Sequence, residues 1–63
     1  MTLDEALKYN GRLKIVTTNG NCKIGTIKSI DYSEERNEQV ITFVAADDEY
    51  HFYENEIESI EKV

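Results

Sequence analysis

The chain has 63 residues, a net charge of −6, 40% hydrophobic residues and one cysteine. That length holds one domain at most, and a domain of this size buries only roughly 60% of the surface its unfolded form exposes. One Cys and one His exclude an intrachain disulfide and a zinc cluster of usual spacing. No N-terminal apolar run resembles a signal peptide, and no stretch approaches the roughly 20 apolar residues of a membrane span, so the expected location is the cytoplasm.

A short helix is expected first, over residues 3–9. Thr2 and Glu5 have the Thr-x-x-Glu spacing of a capping box, and Asp4 and Glu5 suit the positive end of the helix dipole. Leu3, Ala6 and Leu7 fall on one stripe, which fits a lid over one open end of a barrel. Asn10-Gly11 is expected to stop the helix, since either residue tolerates a left-handed conformation.

Residues 12–18 read as the first strand, with Leu13, Ile15 and Thr17 alternating against Arg12, Lys14 and Val16. Asn19-Gly20 predicts a type I′ hairpin turn. The second strand spans about 22–32 and changes phase, with Cys22 and Ile24 on one side, then Ile27, then Ile30. Gly25 lies at the phase break and predicts a bulge or sharp bend. Cys22, within an apolar pattern, reads as a small buried hydrophobe.

A charged loop over 33–38 precedes the third strand at 39–45, where Val40, Ile41, Phe43 and Val44 make both faces apolar and predict the central, best-buried strand. Ala46-Asp47-Asp48 turns the chain into the fourth strand, 49–53, which places Tyr50 and Phe52 on the core face. A single 3₁₀ turn over Glu54-Asn55-Glu56 leads to the fifth strand at 57–62. The expected fold is mainly β: a five-stranded, strongly bent small barrel with a short N-terminal helix.

This layout resembles the SH3-like small barrels, and most closely the Sm-like type (Sm, LSm and Hfq). Leu7, Gly11, Leu13 and Ile15 are similar to that family's helix exit and first strand, Asn19-Gly20 to its first hairpin turn, and Gly25, Ile27 and Asp31 to its bent second strand and following aspartate. Asn37 stands where the family has the asparagine of its RNA-binding loop, and Ile57 and Ile60 match its last strand. The resemblance implies RNA binding and a ring of copies. The stretch Tyr53-Glu54-Asn55-Glu56 is acidic where the family carries a basic or glycine-bearing turn, and Glu34, Glu35 and Glu38 make the loop after Asp31 acidic as well.

Little in the chain suggests chemistry. His51 has no spaced Ser or Cys partner, and Asp47, Asp48 and Glu49 are explained by turn chemistry rather than by a calcium loop. No phosphate loop, nucleophile elbow or paired carboxylate is present, so no enzymatic activity, cofactor or metal is expected.

The charge is unevenly distributed. Residues 1–28 carry five cations against Asp4 and Glu5, a net of +3, whereas residues 29–63 carry Arg36 and Lys62 against eleven carboxylates, a net of −9. The leading expectation is therefore a small acidic protein-interaction module, an adaptor or regulator, that uses Tyr32, Tyr53, Glu54, Glu56 and Glu58. The first alternative is an Sm-like nucleic-acid binder that uses Arg12, Lys14, Lys23, Lys28, Asp31 and Asn37, although the overall negative field disfavours a polyanion. The second is an acidic mimic of nucleic acid. Carboxylates at Glu54, Glu56, Glu58 and Glu61 also fit a solvated face that protects a sheet edge, and pairing of the fourth strand with another copy's fifth would build an oligomer.

Overall fold

The computed structural model describes residues 1–63. In chain order the elements are helix α1 (Leu3–Lys8), strands β1 (Leu13–Thr17), β2 (Cys22–Ser33), β3 (Glu38–Ala45) and β4 (Glu49–Tyr53), a 3₁₀ turn η1 (Glu54–Glu56) and strand β5 (Ile57–Lys62). All neighbouring strands pair antiparallel, in the order β4-β3-β2-β1-β5. The sheet is strongly curled but not closed, because β4 and β5 are its two free edges. The protein is thus a mainly β, bent, barrel-like sheet led by a short helix, as the strand pattern predicts.

The N-terminal capping box forms. Glu5 N–H donates to Thr2 Oγ1 at 3.2 Å, and Thr2 N–H donates to Glu5 Oε1 at 3.1 Å. The Thr2 N–H first, and the Thr2 hydroxyl beside it, hold the Glu5 carboxyl below its ordinary value. The helix stop differs from the expected one. Tyr9 turns to an extended backbone, its N–H donating to Ala6 O, and neither Asn10 nor Gly11 takes a positive φ. Of the predicted helix stripe, Ala6 is buried and Leu3 packs on the core, while Leu7 is 45% exposed.

The first hairpin also departs from expectation. Thr17 N–H donates to Asn21 O at 2.8 Å and Gly20 N–H donates to Thr17 O at 3.0 Å, so three residues, not two, form the loop. Within this loop only Gly20 has positive φ, at 91°. This is a type I turn with glycine at the following left-handed position. Thr17, 7% exposed, explains the choice: its hydroxyl binds Asn19 Oδ1 and receives Asn21 N–H, which fastens the wider loop.

The order of strands makes β2, not β3, the central strand. Only one face of β3 is in the core: Ile41 and Phe43 are fully buried, whereas Val44 is 39% exposed on the convex face. Cys22 and Ile24 lie on that convex face too, so Cys22 is exposed rather than buried. Their apolar character reflects strand preference rather than burial. The irregularity in β2 falls between Ile27 and Ser29, around Lys28, not at Gly25. Gly25 has a different purpose. It pairs with Leu13 on one side and Ala45 on the other, and a Cβ there would collide with the Val44 carbonyl. The glycine lets β3 close tightly over β2 where the sheet curls.

The core consists of Ala6, Leu13, Ile15, Ile41, Phe43 and Ile60, with Leu3, Ile27, Ile30, Phe52 and Ile57 packed around it. Its six residues join the helix to β1, β3 and edge strand β5, and the surrounding residues bring in β2 and β4. The β2–β3 connection turns at Asn37, whose φ of 53° is the left-handed value that asparagine tolerates. No helix is long and apolar enough to cross a membrane.

Candidate interaction groove

Two concavities open at the ends of the curled sheet. The larger, about 460 Å³, runs between the start of α1 and strand β5; its walls include Leu3, Asp4, Gln39, Glu54, Ile57 and Glu58, with Ile60 at the base. Leu3, Ile57 and Ile60 provide an apolar floor because each also packs in or against the core. Asp4, Glu54 and Glu58 are exposed carboxylates at the rim, and none makes an ion pair within the chain. No lysine or arginine lines the groove.

The smaller concavity, about 320 Å³, lies between the first hairpin loop and β4, lined by Thr17, Asn19, Asn21, Lys23, Tyr50 and Glu56 among others. Its Tyr50 and Lys23 side chains are tied up in contacts within the chain. Tyr50 stacks on Phe52 with ring centroids 5.9 Å apart, its hydroxyl donates to Asp47 Oδ2 at 2.7 Å, and Lys23 Nζ lies 4.8 Å from its ring centre and 3.6 Å from Asp47.

The Tyr50 hydroxyl, first, and the Lys23 ammonium hold the Asp47 carboxyl below its ordinary value of 3.8; Tyr50 and Asp47 in turn raise Lys23. A depressed carboxylate contributes stability that is fully present above 3.8 and is lost as pH falls through the lower, folded-state value. Asp47→Asn should therefore lower the melting temperature slightly at neutral pH, and the difference from the wild type should shrink as pH falls below 3.8. Thermal melts across pH check this; a deficit that persists in acid would show that geometry, not charge, is at stake.

The predicted partner-binding residues separate into two sets. Glu54 and Glu58 meet in the larger groove, joined by Asp4. Tyr32 pairs with Gln39 across β2 and β3, so its exposed ring stands beside a groove-lining residue, and its hydroxyl binds Asn37 Oδ1. Tyr53 pairs with Val40 one position along, hence on the opposite face. Its ring is covered by the Arg36 guanidinium at 3.8 Å, and Arg36 bonds Glu38, which accepts Asn55 N–H at 3.0 Å. Glu56 is exposed and bends back over its own turn, its Oε1 accepting Tyr53 N–H at 3.0 Å. Tyr53 and Glu56 thus shape η1, while Glu54 and Glu58 remain available.

The predicted basic set is dispersed. Lys14 faces Glu61 at 3.7 Å, Lys23 faces Asp47, and Lys28 faces Glu49 at 3.3 Å, while Arg12 is exposed without an ion pair. Asp31 accepts from Ser29 Oγ at 3.4 Å, and Asn37 serves the turn. His51 shares a hydrogen bond with Thr42 on the convex face. No group of three His, Cys, Asp or Glu side chains is placed to hold a metal ion.

Sequence reasoning missed Asp4 as a groove residue. Its helix-cap position accounted for its charge, and no local signal tells that the start of α1 lies beside β5. No family model, curated protein or solved structure matches the chain.

Proposed function

We propose that this chain is a small acidic, non-enzymatic interaction module that binds a basic segment of a partner protein in the groove between α1 and β5. The observation that carries this reading is the set of unpaired carboxylates, Asp4, Glu54 and Glu58, over the apolar floor of Leu3, Ile57 and Ile60, with no lysine or arginine on the walls and only the Met1 α-ammonium as a cation. Lysine and arginine side chains suit such a site, since their stems cover apolar surface while the charged ends reach the rim. The pairing of Lys14, Lys23 and Lys28 with carboxylates favours a protein ligand over a nucleic acid. The leading helix and the order β4-β3-β2-β1-β5 support kinship with the Sm-like small barrels. A free thiol at Cys22 fits a reducing compartment, and we place the protein in the cytoplasm.

Selection from a random peptide display library tests the function. The wild-type chain should enrich sequences rich in Lys and Arg, and Glu54→Lys/Glu58→Lys should weaken the selected peptides by about tenfold or more. Enrichment without a basic bias, or equal binding by the charge-reversed chain, would overturn the proposal. So would a gel shift with oligo-U at moderate salt that Glu54→Lys/Glu58→Lys leaves unchanged.

A further inference from the structure

We infer that the partner's segment enters this groove as an extended strand, added to the free edge of β5. The inference rests on the groove being the docking site for a basic partner and adds how that partner is held. The backbone supplies the reason. Val63 N–H donates to Arg12 O at 3.2 Å, and the register continues Leu13↔Lys62, Lys14↔Glu61, Ile15↔Ile60 and Val16↔Ser59. In an antiparallel ladder alternate residues face the partner strand, so 59, 61 and 63 turn their amides to β1. Ile60 and Lys62 turn theirs outward, and β5 has no second strand beside it. Neither residue's backbone bonds to a side chain or a loop.

Ile60 is 5% exposed and lies at the base of the groove. Its outward N–H and C=O have no protein partner, and a passing strand would supply one. The groove is lined by four consecutive β5 residues, Ile57, Glu58, Ser59 and Ile60, so it runs along this strand; the ladder with β1 skips Glu58 and is regular from Ser59 to Lys62.

Charge identifies the occupant. The free edge of a second copy's β4 carries Glu49 and is flanked by Asp47, Asp48 and Glu54, which would set carboxylates against Glu54 and Glu58. A strand alternating basic and apolar residues has no such conflict. One face meets Leu3 and Ile57, and the other meets the carboxylates.

The test uses an acetylated, amidated heptapeptide alternating lysine and valine, with two isomers N-methylated at all the valine amides or at all the lysine amides. Each isomer lacks the donors of one edge only. Strand addition predicts that one isomer loses binding by about tenfold or more while the other keeps it, and that the parent peptide slows amide exchange at Ile60 and Lys62 by at least about tenfold. Equal behaviour of the two isomers, or unchanged exchange at those amides, overturns strand addition and leaves the display selection to judge the groove independently. Failure of the parent peptide to bind overturns it as well. Protection of Ile60 and Lys62 in a self-associated form without peptide, seen by light scattering, overturns it in favour of a second copy.

Discussion

Gly25→Val is expected to abolish the cooperative fold. The new Cβ would collide with the Val44 carbonyl oxygen and stand 2.8 Å from its carbon and 2.9 Å from Ala45 Cα, all backbone atoms that no rotamer change can move. Relief requires β3 to lift off β2, which disrupts the longest ladder in the sheet. The cost should exceed about 3 kcal/mol, comparable with the whole stability of a domain this small. Circular dichroism should show no thermal transition. Thr26→Val, one position on and exposed, is the control for β-propensity and should melt within a few degrees of the wild type. A Gly25→Val chain with a normal melt would mean that β2 and β3 do not approach this closely.

Phe43→Ala should rank second. Phe43 is fully buried, lies on the core face of β3, and packs against Phe52 with centroids 6.2 Å apart and planes tilted by 54°. Removing a fully buried phenylalanine costs about 3–5 kcal/mol through lost transfer energy and the cavity left behind. In a chain whose whole stability is of that order, the alanine variant should lie at the edge of unfolding, its melting temperature lowered by at least roughly 15 °C. Phe43→Leu, which keeps most of the volume, should lose less than about 1.5 kcal/mol. A urea titration separates the two: the midpoint should fall steeply for alanine and modestly for leucine. A drop below about 1 kcal/mol for alanine would contradict the burial of Phe43.

The two substitutions also mark where local pattern suffices and where it does not. Phe43 was readable as a core residue because it lies two residues from Ile41 on one face of a strand in which Val40, Ile41, Phe43 and Val44 make both faces apolar. Gly25 was readable as special, but its reason was not. A glycine in a strand signals a bulge as readily as a close approach, and only the position of Val44 across the sheet separates them. The bulge lies at Lys28, which carries no sequence mark of one. The same limit applies to Cys22, Ile24 and Val44. Their side chains suit a strand on either face, so the sequence pattern could not tell a core position from the convex surface.

The candidate groove was legible in half. Glu54 and Glu58 stood out as acidic, and Tyr32 as an exposed aromatic. Tyr53 drew the same notice, yet it lies on the opposite face under Arg36, because a one-residue step along a strand reverses the side chain.

By itself, the sequence determined the helix cap at Thr2 and Glu5, the positions of β4, η1 and β5, the polar loops and the acidic charge. Each of these depends on neighbours a few residues apart, through capping bonds, period-two alternation and turn chemistry. The tertiary structure decided the rest: β2 at the centre of the sheet, two free edges, Gly25 under the Val44 carbonyl, and Asp4 brought to the rim of a groove with Glu54 and Glu58. Those outcomes arise from contacts between residues far apart in the chain. Their energies come from burial and from the shared curl of five strands, which no local stretch of residues encodes.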